Sequence, residues 1–203
     1  NDGILQNMDV MVSDGKIREV GKDLQDPDAR VIDASGKHLT SGVIDEHSHI
    51  ALSAVNEGTS ALASEVRMKD VLNPESMSIY RQLAGGVTAS QLLHGSANPV
   101  GAQSAIIKLR WGAGAKDLLI DGADPTIKFA LGENVKQSNW GPSFNVRFPQ
   151  TRMGVEQVYM DAFSRAKAYK EEWEKYDNLS RKEKEKATQP RRDLRLEALA
   201  EIL

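Results

Sequence analysis

The sequence predicts an α/β protein in which a small all-β segment precedes parallel βα units. Three observations support this prediction. Residues 1 to about 40 alternate apolar and polar side chains around turn residues, which is typical of short strands. Strand-like and helix-like segments then follow one another from residue 41 to about 131, with glycines after the strands. In the last third, apolar residues recur at steps of three and four, which indicates a long amphipathic helix.

Two hairpins are expected in the all-β segment. Asp14-Gly15 lies between two alternating apolar runs, and Asp-Gly is a strong hairpin signal because both turn residues must tolerate a positive φ. A second hairpin is predicted with Ser35-Gly36 as its turn and with Val31-Ile32 and Leu39 in its arms. A unit of about 40 residues is too small to hold a good core, so we expect it to pack on another part of the protein.

The middle of the chain predicts strands and one helix. A helix is expected from Asn73 to Ala84, with Asn73 as N-cap, Pro74 at the first helical position and Gly85 as the stop. A loop is expected from Gly95 to Gly101. The predicted strands are one that runs from Val43 into Asp45-Glu46-His47-Ser48-His49, then Val87 to Leu93 and Ile127 to Leu131, and Ala105 to Leu109 is expected as a short strand or a hairpin arm.

The last third predicts a helical region with a charged stretch. The apolar repeat runs from Val155 to Tyr176, and a final helix is expected from Leu194 to Leu203. Between them, residues 180–193 carry a dense charge cluster, which we interpret as a solvated helix end and linker. Arg147 and Arg152, just before this region, are interpreted as surface charges rather than as a pair that recognises an anion.

Composition narrows the classes of function. The chain has 203 residues, no cysteine and a formal charge of -3, so it has neither a disulfide framework nor a thiolate metal site. The slight acidity gives no sign of a nucleic-acid partner, which usually shows as a basic patch. No apolar run approaches the ~20 residues that span a bilayer, so we expect no membrane span.

The sharpest chemical feature is His47-Ser48-His49 at the end of a predicted strand. Side chains two apart on a strand point to the same face, so both imidazoles can converge on one ion. Neutral imidazole is a good ligand for Zn, Ni or Fe. On this spacing alone, ordinary surface histidines are the more common explanation of a single His-x-His.

The surrounding residues resemble a known superfamily. The segment from Thr40 to His49 resembles the one that opens the barrel of the amidohydrolase superfamily, which has Pro-Gly, two apolar residues, Asp, any residue and His-x-His; Ser41 replaces the usual proline. The small β-sandwich that precedes that barrel is similar to residues 14–17 and 31–37, and its second strand is similar to residues 84–88. The imidazolonepropionase-related branch is similar to residues 95–103, 128–136 and 147–154.

This resemblance implies the N-terminal part of a (β/α)8 barrel with metal at the C-terminal ends of its strands. Residues 1–40 would be part of a small β-sandwich, and 41–203 the first part of the barrel with a charged helical insertion at about 150–203. His47 and His49 would be the first metal ligands. Glu133, after the third strand, would be another ligand or would cap a turn.

The implied substrate contacts lie in the loops after the second strand. They are His94, Asn98 and Gln103. A structural role is the alternative for His94, and a plain turn role is the alternative for Asn98.

The implied activity is hydrolysis of a C–N bond in a cyclic amide, a dipeptide or a related small molecule, with one or two divalent ions, Zn before others. No histidine follows His94, so we expect the later histidine ligands and the catalytic aspartate beyond this chain. The chain is also shorter than the ~250 residues of such a barrel.

We therefore expect a fragment that is inactive alone, with the C-terminal half of the barrel as its partner, and a homo-oligomer as a further assembly. The alternative is a non-catalytic barrel that serves as a binding or assembly module. The resemblance also favours an exported, periplasmic parent over a cytoplasmic one.

Overall fold

A computed structural model describes residues 3–143 and 146–203. The chain divides into two units, one that ends at Thr40 and one that begins at Ser41. In the first unit, β1 (Asp9–Ser13) and β2 (Lys16–Gly21) pair antiparallel, which confirms the first predicted hairpin. Asp14 and Gly15 form its turn with φ of 52° and 72°, the left-handed conformation that the Asp-Gly signal requires.

The prediction of a second hairpin around Ser35-Gly36 is wrong. Gly36 does form a turn, with a φ of 70° and a hydrogen bond from Lys37 N to Ala34 O of 3.0 Å. However, its arms are not strands, and Val31 and Ile32 are 85% and 77% exposed. A turn alone does not hold two arms together when their apolar side chains share no buried face.

The second unit begins with a βαβ unit, whose helix ends where the sequence predicts. Strand β3 (Val43–Ser48) pairs parallel to β4 (Val87–Leu92), and α1 (Met77–Ala84) lies between them in the chain. Gly85 ends the helix as predicted, but the helix begins at Met77 rather than near Asn73. The Asn73 side chain instead accepts a hydrogen bond from Glu75 N at 3.1 Å, and this local turn delays the helix to its N-cap, Ser76.

The remaining strands depart from a parallel series. Strand β5 (Val100–Gln103) is followed by β6 (Ala105–Lys108), which pairs antiparallel to β4, so β4 is central and β3 lies at an edge of this sheet. A parallel pair needs a crossover, usually a helix, and residues 93–104 supply a strand instead. Strand β7 (Ile127–Phe129) pairs antiparallel to β5 in a separate sheet. A closed barrel therefore stays a prediction.

Helices complete the second unit. They are α2 (Ala115–Leu118), α3 (Arg152–Asp177), α4 (Arg181–Lys184) and α5 (Leu194–Ala200), with 3₁₀ turns at Met68–Val71 and Gln137–Asn139. The long helix α3 confirms the apolar repeat, and its buried Ala162 and Ala166 pack with Leu199 of α5. A second core cluster surrounds Leu92 and Ile107 of the three-stranded sheet. Within the described ranges, no helix has the length and apolar character to cross a membrane.

Candidate metal and substrate site

Two histidines stand at the end of β3. Ser48 between them is buried, at 5% exposure, while His47 and His49 are exposed, as the alternation of a strand predicts. Their ring centroids lie 5.6 Å apart, with an angle of 84° between the ring planes. Nδ1 of His49 lies 2.8 Å from Leu93 O, just after β4. Because a carbonyl only accepts, Nδ1 carries the hydrogen and Nε2 keeps the lone pair that a metal ligand needs.

A lysine that the sequence reasoning missed joins these histidines. Nζ of Lys128, on β7, lies 3.1 Å from Nε2 of His47. Partial burial lowers the pKa of Lys128. The signal in the sequence was a lone lysine between Ile127 and Phe129 in a short apolar strand. This contact brings β7 to the end of β3, even though the two strands belong to different sheets.

Asp45 supports the backbone of this site. Its Oδ1 accepts a hydrogen bond from His47 N at 3.2 Å. The carboxylate therefore constrains the main chain that carries the imidazole.

The histidines fit part of a metal site. Catalytic zinc sites have three protein ligands and an open position, and imidazoles oriented by a carbonyl are typical members of such sets. In the part of the chain that the structure describes, no group of three or more His, Cys, Asp or Glu side chains is close enough to hold an ion. His47 and His49 thus supply two donors, and Lys128 must release Nε2 of His47 before that lone pair becomes available.

Glu133 lies in a loop four residues after the end of β7. Its carboxylate accepts from Lys136 Nζ at 2.6 Å and from Arg152 Nη2 at 3.0 Å. These contacts show that Arg152 is ion-paired at the surface. The role of Glu133 as a metal ligand stays a prediction.

His94 is fully buried and both of its ring nitrogens are engaged. Nε2 accepts from Glu57 N at 2.7 Å, so Nδ1 carries the hydrogen and donates to Gly95 O at 2.8 Å. Burial is the main cause that lowers the pKa of His94. The geometry favours the structural alternative for this residue, a neutral histidine that holds the loop after β3 against the loop after β4.

Asn98 and Gln103 hold the same loop. Nδ2 of Asn98, which is fully buried, donates to Glu57 O at 2.6 Å and to Ser60 O at 2.5 Å. Nε2 of Gln103 donates to Ser64 O at 2.9 Å. The structure therefore brings the predicted contact residues together around residues 57–64 as anchors of that loop.

Arg147 is also an anchor, and its interpretation as a surface charge is wrong. Its Nε donates to Gly58 O at 2.7 Å, its Nη2 to Ala97 O at 2.7 Å and its Nη1 to Phe148 O at 3.0 Å. Burial lowers the pKa of Arg147. The guanidinium thus joins the loops that carry Gly58 and Ala97 to its own loop through their carbonyl groups. No local signal predicts this, because Gly58 and Ala97 lie far from Arg147 in the sequence and accept through backbone atoms.

Comparison with known proteins identifies a class of relatives. The chain is 34% identical to the amidohydrolase tasK of Hapsidospora irregularis over 180 residues, which cover 78% of this chain and 18% of that relative. It is 47% identical to an L-hydantoinase of Paenarthrobacter aurescens over 51 residues, 25% of this chain and 11% of the relative. It is 37% identical to a dihydroorotase of Halalkalibacterium halodurans over 68 residues, 30% of this chain and 16% of the relative.

The fold agrees with these sequences. The structure matches that of an amidohydrolase from Thermotoga maritima MSB8 with a TM-score of 0.79 and 36% identity. The match covers 94% of this chain and 49% of the other, so the chain spans about half the length of that relative. No protein-family profile matches the chain. The homologues are thus amidohydrolases, and they do not single out the imidazolonepropionase-related branch.

Proposed function

We propose that this chain is part of a metal-dependent hydrolase of the amidohydrolase superfamily that cleaves a C–N bond in a cyclic amide, a dipeptide or a related compound. The observation that carries the proposal is the pair His47 and His49 at the end of a strand, with Nδ1 of His49 held by a carbonyl group. The amidohydrolase relatives in sequence and fold support the same reaction class.

The residues of this chain would bind the metal ion through His47 and His49 and hold those two side chains in place. Leu93 O fixes the ring of His49, and Asp45 fixes the backbone of His47, so both imidazoles are presented at the same strand end. A divalent ion, zinc before others, supplies an acidified water and polarises the scissile carbonyl when it is bound. Lys128 controls access to His47, because its Nζ contacts Nε2 of that ring.

The rest of the site belongs to the proposal as well. Glu133 would be a further ligand once its carboxylate leaves Lys136 and Arg152. Two more histidines and the aspartate that transfers the proton would come from the C-terminal half of a barrel, and this chain alone would be inactive. The parent protein would be exported rather than cytoplasmic, which cell fractionation tests, and its assembly into a homo-oligomer is tested by light scattering.

Metal content per chain is the first test. Elemental mass spectrometry is carried out on this polypeptide after dialysis against zinc, on the His47→Ala/His49→Ala double variant, and on His38→Ala, in which a histidine of the first unit is removed as a matched control. We expect zinc in the parent and in the control, and none in the double variant. Equal zinc in all three would contradict the assignment of these histidines.

The same measurement on a chain extended to the length of its relatives separates the two functions. An extended protein that binds zinc and releases product from amide substrates supports the hydrolase. An extended protein that folds without metal and shows no activity contradicts the enzyme hypothesis and supports the alternative, a binding or assembly module.

A further inference from the structure

A carbonyl group just after β4 determines which nitrogen of His49 is free. Leu93 O lies 2.8 Å from Nδ1 of His49, and this contact leaves the lone pair of Nε2 available for a metal ion. An exposed imidazole without such a contact exchanges between two neutral tautomers, which differ in the nitrogen that carries the hydrogen. The position of the Leu93 carbonyl therefore decides whether His49 presents a lone pair or an N–H group to an ion.

The backbone around this carbonyl continues the pairing of β3 with β4 beyond the strand ends. Leu93 N donates to Ser48 O at 3.0 Å, and Gly95 N donates to Val55 O at 3.0 Å. Neither bond is made by the peptide unit between Leu93 and His94, which carries the carbonyl that His49 contacts. A restraint on this unit therefore has to act through the residue at its C-terminal end, His94.

The side chain of His94 supplies that restraint. The residue is 0% exposed, its Nε2 accepts from Glu57 N at 2.7 Å, and its Nδ1 donates to Gly95 O at 2.8 Å. Glu57 lies in the loop that begins at His49, eight residues earlier. The contacts thus form a closed circuit, in which His49 is bonded to the residue before His94 and His94 is bonded to the loop that follows His49.

The surroundings of His94 leave its ring little freedom. A Cβ on Gly101 of β5 would lie 3.0 Å from Nδ1 of His94, so the strand passes directly against the ring. Its partner Glu57 is fixed from the other side, because Asn98 Nδ2 donates to Glu57 O at 2.6 Å. A buried ring that turned away would leave the Glu57 N–H and the Gly95 carbonyl without partners.

We infer that His94 is a positioning residue for the metal site. It joins Glu57 to the segment that carries Leu93 O, and it thereby keeps His49 in the tautomer whose Nε2 can bind a metal ion. His94 acts through His49 rather than as a contact of the substrate. The inference rests on the proposed function for its meaning, but its test requires neither metal nor turnover.

Nitrogen NMR reports the tautomer directly. Two-bond ¹H–¹⁵N correlation spectra of the metal-free, ¹⁵N-labelled chain at pH 8 distinguish a ring nitrogen that carries hydrogen from one that does not. The chain has four histidines, so the His49→Gln variant assigns the His49 signals. In the parent we expect the Nδ1–H form of His49 to exceed the Nε2–H form by about tenfold, because one net hydrogen bond biases two forms by roughly that much.

Two variants perturb His94 in different ways. In His94→Gln the ratio of tautomers should fall by about threefold or more, because a glutamine amide cannot reach a donor and an acceptor on opposite sides of an imidazole. Gly101→Ala keeps the ring but displaces it, and it should change the ratio in the same direction. The second variant keeps the test decisive if His94→Gln does not fold.

Tyr159→Phe is the matched control. It also destabilises the second unit, but through the carbonyl groups of Pro99 and Ala130, so the His49 ratio should stay at the value of the parent. An unchanged ratio in both His94→Gln and Gly101→Ala overturns the inference. An equal fall in Tyr159→Phe also overturns it, because the effect would then follow stability rather than the contacts of His94.

Zinc content of the same samples separates this inference from the proposed function. A ratio that falls as expected, in a protein whose parent binds no zinc, supports the role of His94 in orienting His49 and counts against the metal site of the hydrolase. Zinc in the parent, together with an unchanged ratio in both variants, supports the metal site and overturns the role of His94.

Discussion

Acidification should destabilise the second unit through one buried histidine, His94. Its pKa is lowered in the folded chain, chiefly by burial, while the unfolded chain keeps the ordinary value of 6.5. Below pH 6.5, His94 is therefore protonated in the unfolded chain while it stays neutral in the folded chain. The free energy of unfolding falls as the pH falls. The full stability is present above pH 6.5.

The size of the loss in unfolding free energy follows from the uptake of one proton. Within the window between the unfolded and the folded pKa, the loss approaches about 1.4 kcal/mol per pH unit. The charge of Glu57 raises the pKa of His94, whereas the charges of His49 and Lys128 lower it further. Replacement of the imidazole has its own cost: His94→Gln should lose about 1–3 kcal/mol at pH 8, because the Glu57 N–H or the Gly95 carbonyl loses its buried partner.

The assay is urea denaturation at pH steps from 8 to 5, followed by tryptophan fluorescence. All three tryptophans lie after residue 41, so the signal reports on the second unit, and a chelator removes any contribution of metal. We expect the stability of the parent to fall more steeply below pH 6.5 than that of His94→Gln, which has no group to titrate there. Parallel curves for the two proteins would refute the assignment of a buried, neutral His94.

Three further changes test other parts of the fold. Tyr159→Phe should lower the free energy of unfolding by about 1–2 kcal/mol, because the hydroxyl bonds to the carbonyl groups of Pro99 and Ala130. Burial raises the pKa of Tyr159 to about 12, so above about pH 10 the unfolded chain loses a proton that the folded chain keeps. The stability of the parent should therefore fall between pH 9 and pH 11, as measured by denaturation, while that of Tyr159→Phe should not change for this reason. Asp193→Ala should cost about 1 kcal/mol and fray α5 in hydrogen exchange, because the side chain caps the first turn; unchanged exchange there would contradict the capping role. Gly42→Ala should destabilise the start of β3 by about 1–3 kcal/mol, since a Cβ would collide with Thr88, and a melting temperature equal to that of the parent would show that the strand shifts freely.

Local signals in the sequence predicted much of the fold. The Asp14-Gly15 turn, the stop at Gly85 and the long apolar repeat of α3 each depend on residues within a few positions of one another. The start of α1 depended on another local feature, the turn at Asn73, which competes with the helix signal. Local signals left the direction of β6 open, since its segment was expected as a short strand or a hairpin arm. That direction is set by the path of the connecting chain rather than by the strand itself.

The candidate site shows the same division. The His47-x-His49 spacing follows from the alternation of a strand, so the sequence predicted the two imidazoles together. The contact of Lys128 with His47 joins residues 81 positions apart, and the bond from Arg147 to Gly58 joins residues 89 apart. No periodicity in the sequence carries such information, and the acceptors of Arg147 are backbone carbonyl groups that every residue has.

The edge position of β3 matters for work with this polypeptide. In the described part of the sheet, β3 pairs with β4 on one side, while Val43 and Ile44 are 54% and 68% exposed. An edge strand with exposed apolar side chains recruits strands from other molecules. We therefore expect the chain to associate as its concentration rises, which light scattering measures. The same property makes the edge of β3 a place where an added peptide strand could pair with the sheet.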